Sequence, residues 1–461
     1  MTFTPTDLFR LVLAGCALLS SAMPLFAEKS PAYLEENARV MRLLWDELQA
    51  AYPAVIDPQG GYHQDLDEAW QVLPSDQRSL VNQARHVWTT AEVALRCPEL
   101  HDTYLDYAQH GIAFLRDTMW DAEQGGFYWG VDRTETGWAP ENPEDKHVYG
   151  MFFAVYACAH AYRAGAGPEA LELAERGRDW IERHAHDAEL GGYFGSLNRA
   201  GQPVTQAVPY LSRGRDQIGT PLGAKSMNTT LHALEAYTEL LQAEDRPDKL
   251  VEARVRELVA LLLGPIYAEP GTQHLFLTRA WEPIKGEHSF GHDVEAGFLL
   301  LEAAEVLGDE ALIAEVRQRL RAFVEVTLEH GYDHQRGGVH ETGTHDLEHI
   351  ADARKSWWPQ AEVLNGLLMM HELSDDWDDR ARYWATFGQL LDFVATYSVD
   401  EAHGGWWNTV DPAGNPVGPR QKTHAWKATY HTVRALFNCA ERLQRLAGVP
   451  EDEIELCPPR R

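Results

Sequence analysis

The chain has 461 residues, 44% of them hydrophobic, which is enough apolar sequence for one large domain or for two or three smaller ones. Lys and Arg number 40 against 70 Asp and Glu, so the formal net charge is −30. Because such an acidic surface repels phosphate backbones and anionic lipid surfaces, the composition argues against nucleic acid as a partner and favours a neutral small molecule.

Residues 1–27 have the pattern of an export signal. Arg10 precedes an apolar run over residues 11–19, and small residues follow up to Ala27. The letters LAGC at 13–16 also resemble a bacterial lipobox, in which Cys16 is lipidated after cleavage. The residues leave both a plain signal peptide and a lipoprotein signal open. We therefore expect an exported protein, periplasmic or secreted, or tethered by a lipid anchor.

The rest of the chain, residues 28–461, is predicted to form a single domain. None of its apolar runs reaches the length that a membrane-spanning helix needs. Its four cysteines form no C-x-x-C pair, which excludes a zinc ribbon or a redox motif of that type. Export permits a disulfide, but Cys97 and Cys158 fall within helical patterns, and we expect both to be small buried side chains. The sequence gives no indication of the oligomeric state.

A repeat of about 66 residues organises this domain. Its mark is a pair of glycines with an acidic residue before it and an aromatic or β-branched residue after it. The first glycines are 65, 66, 146 and 67 residues apart, and a degenerate copy in the long gap completes a set of six. The copies are DPQGGY (57–62), DAEQGGF (121–127), DAELGGY (187–193), GTQHLF (271–276), DHQRGGV (333–339) and DEAHGGW (400–406).

Each repeat is predicted to contain two amphipathic helices and a short β-hairpin. Apolar residues recur at helical spacing over, for example, 151–163 and 170–184, while 193–203 and 406–416 alternate and carry turn residues. Six such pairs give an all-α (α/α)6 barrel of twelve helices, with the hairpins at the mouth of the active site. An open solenoid of the same repeats is the alternative. Extra residues at about 208–223 are expected to form a loop over the mouth.

A polar and aromatic cluster opens one helix of each repeat, in phase with the glycine pairs. In a closed ring all six clusters point into one cavity. The clusters are residues 83–88, 146–151, 225–232, 289–295, 355–362 and 423–431.

The side chains of these clusters suit proton transfer at C2 of a sugar. Aromatic faces with a few fixed polar groups match a sugar ring. His292 and His431 are predicted to be the base and acid on opposite faces of C2, with His232 donating to the enediolate oxygens. Arg85 offers a permanent charge to the same oxyanion, and Glu295, three residues after His292, is expected to orient that imidazole or to tune its pKa. Other histidines, such as His160 and His184, are expected to be structural.

These clusters resemble the N-acylglucosamine 2-epimerase superfamily, most closely its cellobiose 2-epimerase branch. The likeness covers about 38–447, and its motifs are KSMNTTLHALEAYT (225–238), GHDVE (291–295), WWPQAE (357–362) and WKATYH (426–431). The resemblance implies a cofactor-independent epimerase that converts the reducing-end glucose of a β-1,4-linked disaccharide to mannose through a cis-enediolate. It implies His292 and His431 as acid and base, with His232 beside them. The candidate substrate-binding residues are Arg85, Tyr149, Asn228, Glu295, Trp358, Glu362 and Trp426.

Two departures from the family pattern concern the substrate more than the chemistry: Thr230 stands where a second histidine is common, and Thr429 where a proline is common. A mannose-type aldose-ketose isomerase and an N-acylglucosamine 2-epimerase remain alternatives, as do an (α/α)6 glycoside hydrolase and a silent sugar-binding protein.

No H-E-x-x-H, clustered carboxylates or nucleotide-binding glycine loop is present, so no metal or cofactor is expected.

Overall fold

The computed structural model describes residues 31–243 and 248–458. The predicted signal peptide, with Cys16, lies outside these residues. No helix among the described residues is both long and apolar enough to cross a membrane. The described helices are α1 (Pro31–Ala51), α2 (Leu80–Arg96), α3 (His101–Phe114), α4 (Val148–Arg163), α5 (Pro168–His184), α6 (Met227–Ala243), α7 (Lys249–Leu263), α8 (Phe290–Val306), α9 (Glu310–Val326), α10 (Trp357–Leu373), α11 (Trp377–Phe393) and α12 (Tyr430–Leu446).

The even-numbered helices form an inner ring and the odd-numbered helices an outer one. Consecutive inner helices pack side by side, and α12 returns to α2, so the ring is closed. The last inner helix packs against α1, the first outer one, which joins the two ends of the chain. The prediction of an (α/α)6 barrel is therefore confirmed, and the open solenoid is wrong.

Burial explains the division into two rings. In α4 every residue from Val148 to Ala161 is buried, as expected for a helix covered on all sides. The outer helix α5 instead buries Ala170, Leu173, Ala174, Gly177 and Ile181, which lie three or four residues apart on one face. The inner layer thus supplies a rigid frame for the side chains at its helix starts.

The short strands pair differently from the expected hairpins. Most link the segment before one inner helix to the segment after the next glycine pair, and the turn at 197–203 is closed only by a single bridge between Leu197 and Pro203. The strands are β1 (Gln77–Ser79), β2 (Gly130–Thr134), β3 (Gly137–Pro140), β4 (Lys146–His147), β5 (Ser196–Leu197), β6 (Lys225–Ser226), β7 (Tyr267–Ala268), β8 (Thr272–Gln273), β9 (Phe276–Leu277), β10 (Glu287–Ser289), β11 (Thr342–Thr344), β12 (Ile350–Asp352), β13 (Lys355–Ser356) and β14 (Thr409–Val410). Hairpins of two full strands are β2–β3, β7–β8 and β11–β12.

A buried ion pair explains the acidic residue of the repeat. Lys355 Nζ lies 2.9 Å from Asp333 Oδ2 and 2.6 Å from the carbonyl oxygen of Gly337, so the cation two residues before the inner helix ties that helix to its glycine turn. Gly337 and Gly338 have φ of 77° and 81°, a region that favours glycine. The same pairing occurs at Arg78–Asp57, Lys146–Asp121, Lys225–Asp187 and Lys422–Asp400.

Cys97 corrects one expectation. It forms a disulfide with Cys457, 360 residues away, and so ties the C-terminal segment to the end of α2. A buried thiol at Cys97 was expected because the helical pattern runs up to it, but Cys97 stands just past the last helical residue, where its side chain can meet another segment. Cys158 is free and buried, as predicted, and Cys439 is free and buried as well.

Candidate active site

The clusters at the starts of the inner helices meet at one end of the barrel. Tyr149 on α4 connects several of them, because its ring lies 5.3 Å from that of His232 on α6 and 6.4 Å from that of Trp426 before α12. Its hydroxyl accepts from Arg85 Nη2 on α2 at 3.4 Å. The structure thus brings residues from four repeats to one cavity, and the following contacts add the other two.

His292 is held by the residue that caps α8. Ser289 Oγ lies 2.9 Å from Nδ1 of the imidazole, which leaves Nε2 for a substrate. The ring of Trp358 on α10 lies 4.4 Å away. Burial lowers the pKa of His292 to about 4, and the charge of Glu295 offsets this only in part. His292 is therefore neutral at pH 7, which is the form that a general base needs.

Of the two roles expected for Glu295, the structure supports an effect on the pKa of His292 and not the orientation of its imidazole. Its Oε1 pairs with Arg434 Nη2 at 2.5 Å and lies 3.9 Å from His431 Nδ1. Ser289 takes the hydrogen bond that the spacing suggested for Glu295, so Glu295 affects His292 only through its charge. The side chain is fully buried, which places it behind the cavity wall instead of among groups that touch a substrate.

His431 and Glu362 form the second proton-holding pair. Nδ1 of His431 lies 2.6 Å from Glu362 Oε1, and the imidazole lies 5.7 Å from the ring of Trp358. Burial lowers the pKa of His431 well below its usual value. Burial also raises the pKa of Glu362, against the opposing charge of Arg434. Both shifts favour an uncharged imidazole and an uncharged carboxyl group that share one proton, so Glu362 supports the imidazole. Glu362 was predicted to bind substrate, but its side chain is too deeply buried to do so.

His232 has its own carboxylate partner. Its Nδ1 lies 2.8 Å from Glu235 Oε2, three residues further along α6. Glu235 is also bonded to Arg434 and to the hydroxyl of Tyr430. Although burial raises the pKa of Glu235, Arg434 and His232 outweigh it and lower the value to about 2. The carboxylate stays ionised and fixes the imidazole of His232.

Arg434 occupies the centre of this buried network. Glu295, Glu362 and His431 place ligand atoms within 4.8 Å of one another, a spacing that a metal ion could use. Arg434 Nη2 already bonds both carboxylates, at 2.5 and 2.7 Å, so the guanidinium supplies the positive charge there. The other such group within 31–243 and 248–458 contains Cys97 and Cys457, which are joined by the disulfide.

Arg85 and Asn228 bring polar groups to the cavity. Arg85 Nη1 donates to the carbonyl oxygen of Trp426, and its guanidinium lies 4.6 Å from the ring of Phe153. Asn228 Oδ1 has no hydrogen-bond partner among the described residues, which leaves it available to a hydroxyl group of a ligand. The hydroxyl of Thr230 donates to the carbonyl oxygen of Ser226 at 2.8 Å, so it bonds the backbone at the start of α6.

The loop at 208–223, predicted to lie over the mouth, contacts the residue before α4. Its Asp216 Oδ2 bonds Nε2 of His147, the residue before α4, at 2.9 Å. Trp129 stands between this loop and the catalytic groups, with its ring 5.3 Å from that of His147 and 5.7 Å from that of Trp426. A cavity of about 460 Å³ lies between Trp129 and Arg213, next to the site.

Several functional side chains were not found from the sequence. Arg434 and Glu235 lie about one helical turn beyond His431 and His232, and that spacing on an inner helix was the available signal. Ser289 could have been read as the N-cap of α8. Trp129, two residues after the aromatic that follows a glycine pair, was visible as a third aromatic in a row.

A larger cavity, of about 560 Å³, opens at the opposite end of the inner helices. Its charged groups are largely paired with one another. His160, for example, lies 2.8 Å from Glu92 and 2.9 Å from Glu239. Burial lowers the pKa of His160, but Glu239 and Glu92 outweigh it and raise the value to about 9. The structural role predicted for His160 is confirmed.

Comparison with known proteins agrees with this geometry. The family model described as N-acylglucosamine 2-epimerase matches residues 60–170 and 215–435. A cellobiose 2-epimerase of Bacteroides fragilis is 29% identical over 81% of this chain and 90% of its own. A D-mannose isomerase of Marinomonas mediterranea is 23% identical over 85% and 94%. The solved structure of cellobiose 2-epimerase from Spirochaeta thermophila has a TM-score of 0.77 and 29% identity over 90% of this chain and 98% of that one.

The matched segments span the helix starts that carry His232, His292 and His431. The alignment with the solved relative covers nearly the whole length of that relative. On this evidence the chain is a carbohydrate epimerase, an enzyme of the isomerase class, and belongs to the N-acylglucosamine 2-epimerase family.

Proposed function

We propose that the protein interconverts the C2 epimers of the reducing-end aldose of a β-1,4-linked disaccharide, without a cofactor. The observation that carries this is the pair of neutral histidines around Trp358. His292 and His431 border one indole ring, at 4.4 and 5.7 Å, and are held by different partners. Epimerisation at C2 needs one group that removes the proton and another that returns it to the opposite face.

In the first step one neutral histidine removes the C2 proton of the open-chain aldose. The electron pair of the C–H bond forms the C1–C2 double bond, and the carbonyl oxygen becomes an enediolate oxygen. Arg85 and His232 stabilise that oxygen, because both present N–H groups in a buried, low-dielectric site. His292, with Nδ1 fixed by Ser289, is suited to this role in one direction.

In the second step the opposite histidine returns a proton to C2. His431 is neutral, so it gives up its Nε2 proton only if Nδ1 receives another. Glu362, whose pKa burial raises, lies 2.6 Å from that Nδ1 and can supply it. The Glu362 carboxyl then becomes a carboxylate beside Arg434, which stabilises its charge. Before the next turnover His292 loses its extra proton to water, and Glu362 takes one from water. The reverse reaction runs the same steps in the opposite order.

The disaccharide is supported by the space beside the site and by the relatives. Trp426 and Trp358 offer faces for a sugar ring at the reacting end, and the cavity bounded by Trp129 has room for a second ring. Relatives named cellobiose 2-epimerase match most of the chain. The preference for a disaccharide over mannose or N-acetylglucosamine rests on this cavity.

A glycoside hydrolase is disfavoured by the carboxylates. Hydrolysis needs two opposed carboxyl groups that reach the glycosidic bond. Glu295 and Glu362 are fully buried against Arg434, and Asp293 Oδ2 bonds His288 at 2.7 Å. These groups support other side chains and do not face a substrate.

Product analysis tests the proposal. The purified protein is incubated with cellobiose, lactose, mannobiose, mannose and N-acetylglucosamine, and the products are followed by NMR. We expect a 2-epimer from the disaccharides, at least ten times faster than from either monosaccharide. A ketose as the main product would establish the aldose-ketose isomerase instead, and release of monosaccharides would overturn epimerisation.

We also propose that the protein works outside the cytoplasm. The export pattern of residues 1–27 supports this, and so does the Cys97–Cys457 disulfide, because such bonds persist in oxidising compartments. Fractionation of expressing bacteria tests it: the mature chain should appear in the periplasm, the medium or the membrane fraction. A Cys16→Ala variant distinguishes a lipid anchor, since only a lipidated chain would leave the membrane fraction when that residue is replaced.

A further inference from the structure

One of the six repeats lacks the buried ion pair that ties each inner helix to its glycine turn. The position two residues before α8 is held by His288, where three other repeats have lysine and one has arginine; in the sixth repeat the paired Lys422 lies eight residues before α12. The preceding turn is the degenerate copy 271–276, which has no aspartate. The charged link is therefore replaced, in this repeat, by different side chains.

Three imidazoles take its place. His288 on β10, His274 after β8 and His345 after β11 come from two consecutive repeats. The ring centres of His274 and His345 are 4.6 Å apart, and those of His288 and His345 are 5.6 Å apart. Two imidazoles on one tetrahedral ion, with metal–nitrogen distances near 2.0–2.1 Å, place their ring centres about 5 Å apart. Both observed separations are close to that value.

The hydrogen bonds around His288 leave one nitrogen ready to bind a cation. Nδ1 lies 2.7 Å from Asp293 Oδ2, and an ionised carboxylate can only accept, so Nδ1 carries the proton. Nε2 therefore presents a lone pair, yet it is buried and has no partner among the described residues. A histidine whose other nitrogen donates to a carboxylate is the usual arrangement of a metal ligand.

The other two histidines also have free nitrogens. His345 Nδ1 lies 3.2 Å from Thr272 Oγ1, so its Nε2 remains available. His274 makes no side-chain hydrogen bond within the described part of the chain. The nitrogens of the three side chains are not all within 4.8 Å of one another in the structure. Because His274 and His345 are partly exposed, rotation about their side-chain bonds can bring them to His288.

We propose that His274, His288 and His345 bind a divalent transition-metal ion of the zinc type, which braces two repeats where the others use a buried ion pair. Imidazole nitrogens suit Zn²⁺, Ni²⁺ and Cu²⁺, and water completes the coordination on the exposed side. The ion supplies the positive charge that lysine provides elsewhere. This site is separate from the catalytic histidines and needs no role in the reaction.

Equilibrium dialysis of the EDTA-treated full chain against Zn²⁺ tests the site, with thermal melting as a second readout. The wild type should bind one Zn²⁺ per chain and melt at a higher temperature with the ion than without it. His274→Ala and His345→Ala should each weaken binding at least tenfold and remove the shift in melting temperature. Their side chains are partly exposed, so both variants are expected to fold.

His349→Ala is the matched control, because His349 is exposed in the same β11–β12 hairpin. It should bind Zn²⁺ as the wild type does. No bound Zn²⁺ at micromolar concentration, or one equivalent that persists in a His274→Ala/His345→Ala double variant, would overturn the proposal. The second result would place the ion elsewhere, for example at the cluster of Glu295, Glu362 and His431.

Discussion

Glu362 shows how a residue without access to substrate can control the proposed reaction. It lies 2.6 Å from His431 Nδ1 and is the proton source that a neutral His431 needs. Glu362→Gln keeps the shape but has no acidic proton, so we expect kcat to fall about 100-fold or more, with a smaller change in KM. Steady-state kinetics check this.

Exposed Glu401 is the matched control for that variant, because Glu401→Gln changes the same chemical group at the surface. Its kinetics should equal those of the wild type. If Glu362→Gln retained more than half of the wild-type kcat, the supply of protons through Glu362 would be wrong.

Protonation of His292 is expected to set the acid limb of the profile of kcat/KM against pH. Burial lowers its pKa to about 4, so the base stays neutral, and active, well below pH 6.5 and is lost only as the pH falls through about 4. We expect kcat/KM not to fall as the pH is lowered from 6.5 to 5.5. Glu295→Gln removes the charge that raises the pKa of His292, so the limb should move to lower pH. A half-maximal rate near pH 6.5, with the protein folded by circular dichroism, would contradict this.

The sequence pointed to the candidate catalytic histidines because they recur in phase with the glycine pairs. The same signal did not reveal the buried residues that contact these histidines and not the substrate. Arg434 and Glu235 lie on the same inner helices, but a buried charge on a helix gives no hint of its partner until the ring is closed. Glu295 was assigned to His292 from helical spacing alone. In the structure the hydroxyl of Ser289 bonds His292, and Glu295 pairs with Arg434.

At the scale of elements, the repeated cation–aspartate pair stabilises the joint between glycine turn and inner helix. Lys355→Met leaves the partly exposed carboxylate of Asp333 without its cation, and breaking a fully buried pair costs about 3–5 kcal/mol. We expect the free energy of unfolding, from urea titration, to fall by at most that amount. Lys355→Met with Asp333→Asn should lose less than the sum of the two single variants.

The exposed Lys285 provides the comparison for Lys355. Lys285→Met removes the same charge without breaking a buried pair, and its effect should stay within about 0.5 kcal/mol. Equal losses at Lys285 and Lys355, or strict additivity of the Lys355 and Asp333 variants, would show that the pair contributes nothing specific.

The helices could be predicted because each is long enough to show a 3.6-residue period. The strands could not, since most contain two or three residues and pair between neighbouring repeats, as Lys355–Ser356 does with Thr409–Val410. Their pairing depends on the closed ring. The acidic residue of the glycine turn was recognised as part of the repeat, but its lysine partner is 22 to 38 residues away and varies in spacing.

At the scale of the whole molecule, the disulfide fixes the C-terminal segment against α2. Cys97 and Cys457 are 360 residues apart, a separation from which no pairing can be read, so the sequence left it open. We expect Cys457→Ser to lower the free energy of unfolding by about 2–4 kcal/mol. Dithiothreitol should lower the stability of the wild type to the same extent and leave that of the variant unchanged. A reductant effect of equal size in both would contradict the bond.

The central claim is that two histidines exchange the proton at C2. Incubation with cellobiose in D2O, followed by NMR, tests it most directly. We expect deuterium at C2 of the mannose-containing epimer, and no epimer from His292→Ala or His431→Ala, because each variant keeps only one of the two groups. Formation of the epimer with C2 still carrying its original hydrogen, or formation of the epimer by both variants at the wild-type rate, would contradict the account.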